Sequence, residues 1–239
     1  MNSSFLRSTL AVAALGLTTN ILAGQPGDWP QWRGANSDGI SQETGLLAEW
    51  PEGGPKVDWQ IDMLGDGYSS LAIADGRILT LGNVDGEGRI LCLKESDGSV
   101  IWSVHPPRET KLYKHGKGDG GRGTPTVDNG LVYVEGGGGD VTCLKAETGE
   151  VVWTKHLKDD LGGSVPGWGF SESPTIDRNN VIVTPGGKEG AVVALNKLTG
   201  EVVWRSAGVG DKAHYCTAVI VESHGVRQVI TFTGGIGGK

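Results

Sequence analysis

The chain has 239 residues, 21% of them charged, with 41 glycines and a formal net charge of −7. Those proportions exclude a charge-rich disordered segment and suit a fold with many tight turns. The basic residues are scattered apart from a loose group at Lys111, Lys114, Lys117 and Arg122, which leaves no electrostatic footprint for nucleic acid or anionic lipid.

Residues 1–23 differ from the rest. Arg7 is the only charged side chain before the apolar run "LAVAALGL", which is followed by "TTNILA" and the polar, turn-rich "GQPGDW". This is the shape of a secretory signal, with cleavage expected after Ala23. The apolar core is too short to span a bilayer. No cysteine follows the cleavage point, so no lipid anchor is expected there. The expected location is periplasmic or extracellular.

Residues 24–66 form an N-terminal segment containing "DWPQWRGANSDGIS" and "KVDWQI". Units of four short strand-like runs follow. Residues 67–106 carry "SSLAIAD", "RILTLG", "RILCLKE" and "SVIWSV"; residues 107–157 carry "TPTVD", "LVYVEG", "DVTCLKA" and "EVVWTKH". Residues 158–206 carry "SPTID", "NVIVTP", "AVVALNK" and "EVVWRS"; residues 207–239 carry only "CTAVIVE" and "QVITFTGG". Each run is rich in Val, Ile, Leu and Thr and bounded by Gly, Asp or Asn. The joints "VDNGL" and "ETGE" supply the positive φ of tight hairpins.

The phrases "KESDGSVIW", "KAETGEVVW" and "NKLTGEVVW" end at Trp102, Trp153 and Trp204, at 51-residue intervals. Four antiparallel strands repeating at this period predict an all-β fold, a β-propeller of four-stranded blades. The third strands are apolar on both faces, as blades covered on each side require. Cys92, Cys143 and Ala194 stand ten residues before the three tryptophans, a position that accepts only small apolar side chains. With Cys216 the cysteines number three, and buried free thiols fit better than a disulfide.

These residues resemble the tryptophan-docking motif of pyrroloquinoline quinone (PQQ) repeat propellers, Ala-x-Asp-x-x-Thr-Gly-x-x-x-Trp. Thr148-Gly149 and Thr199-Gly200 match it, Asp97-Gly98 is a variant, and Trp102, Trp153 and Trp204 match throughout. The motif's Asp is replaced by Lys94, Lys145 and Asn196. The resemblance implies that each Trp packs on the Thr-Gly turn of the neighbouring blade. It also implies that the N-terminal segment supplies outer-strand material to the last blade, with Trp29, Trp32 and Trp59 as closure and packing residues. Family rings usually have eight blades, so the units make roughly half a ring. The chain is accordingly expected to be a fragment, or to be completed by a C-terminal half or another chain.

Motifs for catalysis are scarce. "GKGDGG" (Gly116 to Gly121) fits a glycine-rich phosphate loop only in spelling, because no helix follows it. "NVDGEG" (Asn83 to Gly88) reads as a hairpin turn, and the five histidines show no zinc spacing. The family's enzymatic branch, the quinoprotein dehydrogenases, implies PQQ with calcium, often an adjacent cysteine pair and sometimes a haem motif. This chain has neither of the last two, and no calcium ligand or catalytic Asp can be matched. No catalytic or metal residue is assigned.

Long loops precede the first strand of each unit, where binding usually resides. Aligning those first strands brings Tyr68, Arg122, Trp168, Glu172, His214 and Tyr215 to one end as a candidate funnel. Arg122 and Glu172 suit anionic and hydroxyl recognition, and the aromatics suit stacking on a ring. The alternative is that Arg122 and Glu172 pair across neighbouring blades while Trp168 pins its own loop. Two functions remain open. One is an exported, non-catalytic propeller that binds an envelope protein or a small ligand, similar in form to the propeller subunit of the outer-membrane protein assembly machine. The other is a PQQ-dependent alcohol or aldose dehydrogenase-like oxidoreductase.

Overall fold

The computed structural model describes residues 27–108 and 120–234. The expected signal at 1–23 and the basic residues Lys111, Lys114 and Lys117 lie outside the described residues. Regular structure among the described residues consists of fourteen strands. Blade 1 comprises β1 (Ala72–Ala74), β2 (Arg77–Val84), β3 (Glu87–Lys94) and β4 (Val100–Val104). Blade 2 comprises β5 (Thr126–Asp128), β6 (Leu131–Glu135), β7 (Asp140–Lys145) and β8 (Val151–His156). Blade 3 comprises β9 (Thr175–Asp177), β10 (Asn180–Val183), β11 (Val193–Asn196) and β12 (Val202–Arg205). A two-stranded sheet follows, β13 (Val219–Ser223) and β14 (Val226–Ile230). Every pairing is antiparallel and every strand neighbours the next in sequence, the topology of propeller blades.

The core lies between sheets. One cluster joins blades 1 and 2 through Leu79, Ile90, Cys92, Trp102, Val132 and Leu144. A second joins blades 2 and 3 through Tyr133, Cys143, Trp153, Val181 and Leu195. Each fully buried aliphatic side chain stabilises by roughly 1.5–3 kcal/mol. Both faces of a middle strand are therefore apolar, and the alternation of a one-sided sheet is lost.

The tryptophan repeat has a local cause. Cys92 lies directly across the ladder from Trp102, Cys143 from Trp153 and Ala194 from Trp204. Only a small side chain leaves room there. A register shift follows at the same place in each blade, leaving Ile101, Val152 and Val203 without ladder partners. These bulges blunt the exposed outer edges, a common protection against edge-to-edge pairing.

Two of these indoles, Trp102 and Trp153, lie over a glycine of the next unit. A Cβ on Gly149 would fall 2.8 Å from Trp102, and one on Gly200 2.8 Å from Trp153. The indole N–H groups donate to Ala146 O and Lys197 O, both at 2.9 Å. Thr148 and Thr199 hold the turns by accepting the N–H groups of Glu150 and Glu201. Asp97 does the same for Ser99, which explains why an acid can replace the threonine. The Ser99 contacts and Lys94 hold the exposed Asp97 carboxyl down at about 2.

Trp59 repeats this geometry. Its indole lies 2.8 Å from where a Gly98 Cβ would be, and it donates to Glu95 O at 3.0 Å. Trp29, expected as a closure and packing residue, lies at an inner edge. It pairs with Ile73 of the innermost strand β1, and the N–H of Val127 in β5 donates to Pro30 O at 2.8 Å. That part of the N-terminal segment therefore runs along the inner edges of blades 1 and 2. The cause is that β1 and β5 are three-residue strands with an open inner ladder.

Candidate functional site

The inner edges of the blades are stitched by a repeated set of hydroxyl bonds. Thr126 Oγ1 donates to Pro174 O at 2.6 Å, and Thr175 Oγ1 donates to Ala218 O at 2.7 Å. The N–H of Thr124 donates to Ser173 Oγ, and the N–H of Ser173 to Thr217 Oγ1, both at 2.9 Å. Ser69 Oγ donates to Gly123 O at 2.5 Å. The signal in the sequence is the recurring "TPT", "SPT" and "TAV", which the tryptophan alignment passes over.

This stitched edge forms the wall of a cavity of about 520 Å³. Its hydroxyl lining comes from Ser70, Thr124, Ser171, Ser173 and Thr217. Trp32 and Arg33 enter from the N-terminal segment, Val219 and Ile230 from the last sheet, and Phe232 from the segment just after it. Tyr68, Arg122 and Tyr215 complete the aromatic and cationic lining. The Arg122 guanidinium carbon sits 5.2 Å from the centre of the Tyr68 ring, within cation–π range. Tyr215 accepts the Trp168 main-chain N–H at 3.2 Å and packs on His214, with ring centres 4.8 Å apart.

The six funnel candidates thus divide. Tyr68, Arg122 and Tyr215 line the cavity; Trp168 and His214 stand behind Tyr215 and orient it. Glu172 faces the other way. Ser171 and Ser173 take the cavity side of an extended segment, so the residue between them turns into the junction of blades 2 and 3, where it is 2% exposed. Its Oε1 accepts the Thr184 N–H, and burial pushes its carboxyl up to about 7. Trp32, Arg33 and Phe232 are lining residues that the blade alignment could not place, because they lie outside the repeat's first strands.

The cavity suits a planar ligand carrying negative charge. Two guanidinium groups meet the charge, aromatic rings meet the plane, and a row of hydroxyls meets polar substituents. Its donor set does not suit a calcium ion beside such a ligand. Among the described residues no group of three or more acidic, histidine or cysteine side chains could hold a metal, and the Glu172 carboxyl is buried away from the cavity.

Strand order, blade docking and cavity define the chain as a PQQ-repeat β-propeller. Residues 86–238 match the family model described as outer membrane protein assembly factor BamB, and the chain belongs to that family. It is 24% identical over 160 residues to the outer membrane protein assembly factor BamB of Yersinia pestis, covering 63% of this chain and 36% of the relative. It is 25% identical over 198 residues to the dehydrogenase subunit of the quinone alcohol dehydrogenase of Gluconobacter oxydans, covering 79% of this chain and 26% of the relative. Among solved structures, the quinohemoprotein alcohol dehydrogenase ADHIIG of Pseudomonas putida HK5 superposes with a TM-score of 0.55 at 19% identity. That superposition covers 76% of this chain and 26% of the enzyme, and it shows the fold. The chain therefore spans about a quarter to a third of the length of these relatives.

Proposed function

We propose that this chain belongs to an exported propeller of the cell envelope that binds a partner protein or small ligand without transforming it. The observation that carries this reading is the match of residues 86–238 to an outer membrane assembly factor. The cavity supports it. Its walls are main-chain-stitched strands with aromatic, cationic and hydroxyl side chains, chemistry that recognises rather than reacts. The 61% exposure of Tyr68, whose residue also lines the cavity, supports contact with a bound partner. No helix among the described residues is long and apolar enough to cross a membrane.

A photo-crosslinking residue at Tyr68, in the full chain expressed in its host, tests the reading. Adducts with envelope proteins are expected, and adducts confined to cytoplasmic proteins overturn it.

A second reading rests on the 198-residue similarity to the quinone alcohol dehydrogenase subunit. PQQ would supply hydride or electron acceptance if bound, and Arg33, Arg122, Trp32 and Tyr68 would hold a planar anion of that kind. Among the described residues, no group of three or more acidic, histidine or cysteine side chains is placed to hold the calcium that would accompany it. Dye reduction by alcohols or aldoses in the presence of PQQ and calcium would establish this second reading and overturn the first.

A further inference from the structure

The stitching of the inner edges does not use up the hydroxyl lining of the cavity. Thr126 and Thr175 spend their hydroxyls on main-chain carbonyls of the next unit, but the residues two positions earlier do not. Thr124 is 2% exposed and lines the cavity, yet its hydroxyl has no hydrogen-bond partner among the described residues. Ser173 is 3% exposed; its Oγ accepts the Thr124 N–H, and its own hydrogen has no acceptor among those residues. Thr217 repeats this one unit on, its Oγ1 accepting the Ser173 N–H. The three form an arc across consecutive units, each keeping a hydroxyl hydrogen for the occupant of the cavity. A shut-in hydroxyl without a partner is costly, so the arc is matched by a ligand that carries several oxygens in a row.

The rest of the lining is aromatic and cationic. Trp32, Tyr68, Tyr215 and Phe232 line the cavity and stay solvent-exposed. Arg33 belongs to a loop that is braced from within. Gln31 Nε2 donates to Ala35 O at 3.0 Å and to Ser37 Oγ at 3.1 Å, and the Gly39 N–H donates to Arg33 O at 2.8 Å. Arg33 holds a φ of +65°, a left-handed backbone that is unfavourable for a side chain other than glycine. Its guanidinium donates to Asp38 O at 3.1 Å and to no other described residue, which leaves most of the donor fork for an anion.

We propose that the cavity takes a hexuronic acid, free or at the end of a sugar chain. This deepens, and rests on, the reading of the cavity as a site that recognises a small ligand. A pyranose ring offers C–H faces to the aromatic side chains, hydroxyls to the arc of Thr124, Ser173 and Thr217, and a carboxylate to Arg33. A planar aromatic acid meets the rings and the charge but brings no row of hydroxyls. Phosphate alone brings no face for the rings. The cavity volume of about 520 Å³ falls in the range of small-ligand sites, about 300–1,000 Å³.

Isothermal titration of the full chain with galacturonate, its linear trimer, galactose and benzoate tests the proposal. Galacturonate or the trimer is expected to bind at least about tenfold more tightly than galactose or benzoate, and binding of the trimer alone assigns the site to a chain end. Thr124→Val removes a hydroxyl that holds nothing in the protein. It is expected to weaken the sugar acid about tenfold while leaving benzoate binding and the melting temperature unchanged, and Thr124→Ser is expected to restore affinity. Equal weakening of sugar acid and benzoate in Thr124→Val overturns the proposal. Benzoate binding without sugar-acid binding also overturns it, while the small-ligand reading stands. Refusal of all these ligands overturns it as well, and adducts of Tyr68 with envelope proteins would then leave the partner-protein reading standing.

Discussion

Trp153 lies flat on Gly200. A Cβ on that glycine would come within 2.8 Å of the indole, while the indole N–H donates at 2.9 Å to Lys197 O three residues earlier. The same carbonyl receives the Tyr133 hydroxyl at 3.1 Å, and the Lys197 ammonium pairs with Asp128 at 2.6 Å. One turn of blade 3 thus fastens three side chains of blade 2.

Removing that indole is expected to open the joint. Trp153 is 8% exposed, and Trp153→Ala should destabilise by about 3–5 kcal/mol, the range for large aromatic truncations in cores. Trp204 holds the equivalent place in blade 3 yet is 36% exposed, and Trp204→Ala should cost about 1 kcal/mol. Denaturant unfolding of the two variants compares them; equal losses would refute docking as the source of the stability.

The glycine side of the joint predicts a separate effect. Gly149 has φ of +72° and lies 2.8 Å, measured to a built Cβ, from Trp102. Gly149→Ala carries about 1–2 kcal/mol for the left-handed backbone alone, and the steric clash adds to it. Gly130, at φ +75° with open space around it, carries only the backbone part. Thermal melts should therefore rank Gly149→Ala below Gly130→Ala, and the reverse order would remove the steric contact from the account.

The docking residues were legible because each copy solves the same local problem. A tryptophan needs a small residue across the ladder and a glycine beneath it, and both recur at fixed offsets. Trp59 was less legible because it sits 43 residues before Trp102, off the 51-residue period, and reaches its glycine without a Thr-Gly of its own. The pairing of Trp29 with the innermost strand was not legible for a different reason: such pairing is made by main-chain groups, which leave no side-chain signature. Glu172 was assigned to the right end of the blade but the wrong side of its strand, since a one-residue change of face follows from register alone. Arg33 and Phe232 reach the cavity from segments outside the aligned strands, and chain spacing carries no information about such encounters.

Arg122 and Glu172 should now separate experimentally. Arg122 lines the cavity beside Tyr68, so Arg122→Ala removes a cation–π contact worth about 0.5–1 kcal/mol together with the side chain's other contacts, and its main effect is expected on ligand binding. Glu172→Ala leaves the buried Thr184 N–H without its acceptor, a loss of roughly 1–3 kcal/mol. Titration with a planar aromatic carboxylate, followed by tryptophan fluorescence, should show weakened binding for Arg122→Ala. Unchanged binding would remove Arg122 from the recognition surface.

The three thiols should differ in chemistry as they do in place. Burial pushes the Cys92 thiol up to about 11 and the Cys143 thiol to about 12, so neither offers appreciable thiolate at mildly alkaline pH. Both are fully buried opposite their tryptophans. Cys216 is partly exposed and lines the cavity beside Tyr215. A thiol reagent applied to the folded chain is expected to label Cys216 alone, with Cys92 and Cys143 reacting only on unfolding. Mass mapping of the labelled peptides reads this directly. A ligand held in the cavity should slow the Cys216 reaction, whereas prompt labelling of Cys143 in the folded chain would mean that the joint between blades 2 and 3 opens far more often than its packing implies.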